Sequence, residues 1–152
     1  MAECVGLWWA YFGHDDDTRA DHHMAAQPDA RRNRLAVSVY HPGHYALLLG
    51  VLLFAAGVKS AVAHPGAPIS LPQAAALAGG VAVFLAANAA IRRTFALSPT
   101  APRLTTAAVL LVATVPLGTA VSALAQVAGA AAVLAATFGY EERRARPPVS
   151  TR

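Results

Sequence analysis

Between Leu35 and Tyr140 the chain carries no acidic residue and only four basic ones, Lys59, Arg92, Arg93 and Arg103. All eight acids lie outside that stretch, at Glu3, Asp15, Asp16, Asp17, Asp21, Asp29, Glu141 and Glu142. A helix in water needs a polar outer face, and this segment cannot supply one to each of several helices. Its natural solvent is therefore lipid. Composition agrees: 56 % of the residues are hydrophobic and 13 % charged, against roughly 25 % charged in soluble domains.

The net charge of +4 does not indicate a nucleic-acid partner. The arginines stand in short clusters that flank apolar runs, the arrangement of membrane proteins with basic cytoplasmic loops, rather than in a basic stripe interleaved with aromatics. Cys4 is the single cysteine, so an intrachain disulfide is excluded. Glu3 stands where a cleavable leader would have positive charge, so the apolar spans themselves are expected to direct insertion. Arginine outnumbers lysine eleven to one and the spans are built on Ala and Val, a bias suggestive of a GC-rich bacterium.

Residues 1–34 read as a partial or interfacial helix followed by a polar cytoplasmic loop. Cys4–Gly13 is apolar and aromatic but has ten residues, half of the 20 or so a span needs. Trp8, Trp9, Tyr11 and Phe12 suit the lipid–water interface. His14–Arg34 reads as a loop, with a short helix around Thr18–Ala26 and an arginine cluster at its end. Residues 35–140 read as the transmembrane domain. Pro42-Gly43 and His64-Pro65-Gly66 bracket a first span at about 44–63. The second, 71–91, is uncharged, starts with Pro72 in its first turn and ends on Arg92-Arg93. Leu104–Tyr140 has 37 residues without a charge. One helix of that length would run about 55 Å, so the spacing predicts two, 101–117 and 119–140, with Pro116-Leu117-Gly118 as the turn. Residues 141–152 read as a disordered cytoplasmic tail.

The expected fold is thus all-α: a polytopic transmembrane bundle of four full spans. Four spans put the three arginine clusters, Arg31/Arg32/Arg34, Arg92/Arg93/Arg103 and Arg143/Arg144/Arg146, on one side, with Arg103 at the interfacial end of the third span, and the loops without Lys or Arg on the other. The preference of cytoplasmic loops for Lys and Arg then places the C-terminus in the cytoplasm.

No phosphate-binding glycine loop, nucleophile elbow or paired-cysteine metal motif is present, so a non-enzymatic protein is expected, with no cofactor. Smaller constellations remain. His14, Asp15, Asp16, Asp17, Asp21, His22 and His23 crowd together; their ligand types suit a divalent metal, but no defined ligand spacing is present, and such tracts are usually solvated loops. His41 and His44 are three apart, with Pro42 expected to leave His41 outside the helix. His44 could relay protons or pair with another helix end. Lys59, near the far end of its span, can snorkel to the headgroups. Asn88 and Gln126 are the amides within the spans and can hydrogen-bond between helices. Small residues recur at four-residue spacing, as in Ala76/Gly80, Gly118/Ser122 and Ala125/Gly129, which permits close helix approach.

Leu7–Phe12, LWWAYF with aspartates after it, resembles a motif of the bacterial low temperature requirement A membrane proteins. Tyr40, His44, Gly50 and Gly57 followed by His64-Pro65 resemble that family's pattern of a tyrosine, a histidine, two glycines seven apart and a closing His-Pro. Leu77–Arg92, with Gly79-Gly80 and the arginine pair, is similar to the family's next span. The resemblance covers about residues 5–140 and implies the C-terminal portion of a longer protein with more spans. Lys59 stands where the family usually has an acid. The resemblance carries over no catalytic residue. Taken together, the expected protein is a multi-pass protein of the bacterial inner membrane, transport-related or a subunit of a transporter. The alternatives are a membrane-bound enzyme or metal-binding protein using loop 14–23, and a partner-dependent fragment. The expected partners are the lipid bilayer and a second copy or other membrane subunits, with no nucleic acid.

Overall fold

The computed structural model describes residue 22 and residues 24–97 and 100–145. Four helices long and apolar enough to cross a membrane occupy nearly all of them, and no strand occurs among the described residues. The chain is all-α, as its charge pattern predicts. Cys4–Gly13, most of the His/Asp-rich segment including His23, and residues 146–152 lie outside the described residues.

Helix α1, Asp29–Ala63, follows Pro28, whose extended backbone (φ −58°, ψ 148°) sets the helix start. It begins fifteen residues earlier than His44, the expected start, so the polar segment up to Arg34 is not all loop. Pro42 does not end the helix because it sits in a π-helical turn, Val39–Gly43. A π turn carries one extra residue and shifts the hydrogen-bond ladder from i−4 to i−5, which accommodates a ring with no N–H. At about 1.5 Å per residue α1 runs about 52 Å, well beyond the roughly 30 Å hydrocarbon layer. Its first turns therefore project past the arginine end.

Helix α2 spans Leu71–Thr94. The Ser70 backbone N–H donates to Gln73 Oε1 (3.0 Å), and Pro72 occupies the first turn, so the start is both capped and preorganised. Helix α3, Ala101–Ala120, contains a second π-helical turn, Leu110–Thr114. The helix resumes with Pro116 in its first turn, so Pro116-Leu117-Gly118 is helical and not the expected turn. The break falls at Val121–Ser122, where both N–H groups converge on Leu117 O (3.0 Å each). Ser122 then caps helix α4, Ala123–Ala145: its Oγ accepts the Ala125 N–H (3.1 Å), as an N-cap serine does. Residues 141–145 are helical, which shortens the expected tail.

α2 is the central helix, with Ala74, Leu77, Ala78, Val81 and Leu85 wholly buried. α1 lies antiparallel against it at a separation only glycine allows. A Cβ on Gly50 would stand 2.8 Å from Gly80 O, and one on Gly57 2.6 Å from Leu77 Cα. Gly80 in turn fits against the Phe54 backbone. Small residues that let backbones approach are the usual adhesive between helices in lipid, where apolar surface alone gives no drive. Outward, Tyr45, Leu48, Leu49 and Leu52 on α1 and Val109 and Val112 on α3 are exposed, an apolar exterior fit for acyl chains.

The two ends of the bundle differ. At one, the loop 64–70 is laced to the α3–α4 junction: Ile69 N–H donates to Gly118 O (3.0 Å), Ala123 N–H to Ala67 O (2.9 Å) and Leu124 N–H to Pro65 O (2.9 Å). Neither loop has a Lys or Arg. The other end collects the arginines of α1, α2, α3 and α4.

Candidate functional site: a polar cluster at the arginine end

Arg103 stands in the first turn of α3 and is 1 % exposed. The sequence suggested an interfacial residue marking a loop; the structure turns it inward. Its Nε and one terminal nitrogen donate to the two oxygens of Glu141 on α4, each at 3.3 Å, and its other terminal nitrogen donates to Asn88 Oδ1 on α2. Three helices thus converge on one guanidinium. A planar fork with five donors suits this geometry, where an ammonium would engage one acceptor at a time. Burial of a charge in lipid is tolerated when it is paired and hydrogen-bonded, and here both conditions hold.

One turn deeper, the Thr106 and Thr137 hydroxyls meet at 2.6 Å: one donates to the other, and the acceptor's own proton goes to a carbonyl of its helix, Pro102 O for Thr106 (2.8 Å) or Val133 O for Thr137 (2.9 Å). Arg92, one turn after Asn88, stands within electrostatic range of both Arg103 and Glu141. On α1, the close approaches of residue 50 to 84 and 57 to 77 define an antiparallel register. Extended toward the arginine end, it puts His44 level with Ala90, between Asn88 and Arg92. His44 is partly buried and follows directly on the π turn that holds Tyr40. π turns within helices are frequent at functional sites. The level defined by His44, Asn88, Arg92, Arg103 and Glu141 therefore draws on all four helices.

The remaining sequence candidates fall elsewhere. Gln126 is wholly buried at the opposite end: its Nε2 donates to Ala74 O across the α4–α2 contact (2.8 Å), and its Oε1 fills the space left by the missing side chain of Gly118. Like Asn88, it bridges helices as an amide in lipid is expected to do. Lys59 is exposed, about one turn from the end of α1, and takes no part in the cluster. His22 is exposed; His23 and the aspartates near it lie outside the described residues. Among the described residues no group of three His, Cys, Asp or Glu side chains converges as a metal site.

Reasoning from the sequence missed Arg103 and Glu141 as a pair. They are 38 positions apart, and each sat beside an obvious surface assignment. The available signal was the helix register: Glu141 is one turn after Thr137, and Arg103 one turn before Thr106.

With this geometry in place, the family pattern acquires a physical meaning. The sequence pattern of bacterial low temperature requirement A protein (LtrA) matches residues 1–138. The chain belongs to the low temperature requirement A family. In this member His44 of the motif lies at the polar level, while Gly50, Gly57 and Gly80 make the α1–α2 seam. No curated protein and no solved structure matches the chain.

Proposed function

We propose that this member of the low temperature requirement A family is a transport-related protein of the bacterial inner membrane, without enzymatic activity and with its arginine end and C-terminus in the cytoplasm. The observation that carries the reading is the Asn88–Arg103–Glu141 cluster. An ionisable group drawn into a bundle of spans marks a solute or ion path more often than a purely structural contact. Here it is assembled from three helices and stands level with the family's His44. The sidedness is supported by the arginines at one end and the Lys/Arg-free loops at the other.

Reconstitution in proteoliposomes tests it. A panel of ions and small solutes should include at least one whose flux exceeds that of protein-free liposomes. That flux should fall at least about tenfold, the scale of losing one positioned interaction of about 1.4 kcal/mol, in His44→Ala and Arg103→Gln at equal protein level. Flux unaltered by both substitutions would sink the reading.

A further inference from the structure

Helix α3 is held differently at its two ends. Beside the uncharged loops the anchor is main chain: Gly118 O accepts the Ile69 N–H (3.0 Å), and the Gln126 side chain fills the place of a Gly118 Cβ. At the arginine end the hydrogen bonds to α2 and α4 run through the side chains of Arg103 and Thr106. Arg103 donates to Asn88 Oδ1 and reaches both Glu141 oxygens at 3.3 Å, longer than the roughly 2.7–2.9 Å of a close charge-assisted bond. The Thr106 and Thr137 hydroxyls meet at 2.6 Å. Ties of this kind can be undone by a change of rotamer, whereas the loop bonds cannot.

Between the two anchorages the backbone ladder of α3 is weak. The π turn Leu110–Thr114 replaces α bonds with wider ones, and Pro116, just after it, brings no N–H. The Thr114 and Thr119 hydroxyls donate to Leu110 O (2.6 Å) and Val115 O (3.2 Å), a contact that bends helices. Such features are where a helix kinks. The chain also enters α3 from a strained turn. After α2, the Ala96 and Leu97 N–H groups return to Arg93 O (3.1 Å) and Arg92 O (2.8 Å). Ala96 then stands at φ 55°, a left-handed conformation that glycine takes at helix ends and alanine resists. Backbone strain of this kind collects in switch regions. The half-helix Ala101–Val109 thus has a weak joint on one side, a strained turn on the other and side-chain ties between.

We propose that this half-helix swings about the π turn and that the Arg103–Glu141 pair is the latch that closes it on α4. Unlatching bares Thr106, Thr137 and Asn88 to the medium at the arginine end. As a gate for solute the device rests on the transport reading; as a motion it does not, and a measurement of thiol exposure, which reads no flux, separates the two. With Cys4→Ser throughout, the full chain carrying a single cysteine at Thr106 or at Ala87 is treated in nanodiscs with a charged, water-soluble thiol reagent. Thr106 is 5 % exposed and Ala87 8 %. Ala87 shares the face of Gly80, seven positions earlier on α2, and so lies in the α1–α2 seam beside the same polar level. Glu141→Gln should speed the reaction of Thr106→Cys at least about tenfold, the scale of about 1.4 kcal/mol in the opening equilibrium, and leave that of Ala87→Cys unchanged. Arg103→Met with Glu141→Gln, which removes the pair without leaving a lone charge, should do the same. Acceleration of neither cysteine overturns the proposal, and so does equal acceleration of both, the mark of general loosening. With the latch intact, Thr106→Cys should still react faster than Ala87→Cys despite its lower static exposure. Equal rates there overturn the proposal even if no latch variant folds.

Discussion

Arg103 shows how a single side chain can be assigned to the wrong environment by its neighbours in sequence. Flanked by Pro102 and a loop, it reads as surface; paired with Glu141 and Asn88 it is among the most buried residues in the molecule. Removing one partner leaves the other charge without compensation, which typically costs more than replacing both. Glu141→Gln should therefore lower stability in detergent by about 3 kcal/mol, and Arg103→Met combined with Glu141→Gln should recover more than half of that; purely additive losses in unfolding measurements would contradict the pairing. The glycines give a second contrast. Gly80→Ala drives a methyl into the Phe54 backbone, whereas a Cβ on Gly79 meets nothing within 4 Å. The first should destabilise by about 1–3 kcal/mol and the second by no more than about 0.5 kcal/mol, read from the same unfolding curves. Asn88 and Gln126 were legible as helix-bridging amides because an uncompensated amide in lipid is costly. Their partners were not, because nothing local in the sequence records which helix faces which.

At the scale of elements, existence and order of the four spans were legible, but their ends were not. The misplaced boundaries have a common cause. Pro42 and Pro116 carry the usual signal of helix termination, yet each is associated with a π-helical turn, Val39–Gly43 around the first and Leu110–Thr114 just before the second. A wide turn absorbs the missing donor at the expense of one residue of phase. The true α3–α4 boundary has a quieter signal, Ser122 as a capping residue. The three backbone bonds between the uncharged loops also predict a measurable order. Amides of Ile69, Ala123 and Leu124, all donors in those bonds, should exchange with deuterium at least about tenfold more slowly than that of Gly66 in the same turn, as expected if they open only with the tertiary structure. Equal exchange rates would mean the loops are joined only loosely.

For the whole molecule, the distribution of charge and the four-span architecture make a single claim about sidedness. With Cys4 replaced by serine, a cysteine at Gly66 and another at Arg143 should react with an impermeant thiol reagent from opposite faces of the membrane; labelling from one face would contradict four crossings. The apolar stretch between Leu35 and Tyr140 announced the bilayer because nothing else could solvate it, and that was visible without any structure. What the stretch concealed is that an acid just past its end, Glu141, folds back to pair with Arg103. The lacing of the two uncharged loops has a bearing on how the protein is made. Those loops come from different hairpins, one joining α1 to α2 and the other α3 to α4. They can meet only once both hairpins have crossed. With the arginine end in the cytoplasm, as proposed, the clasp is a late step of assembly formed on the opposite side, and it would hold the second hairpin against return through the membrane by which it entered.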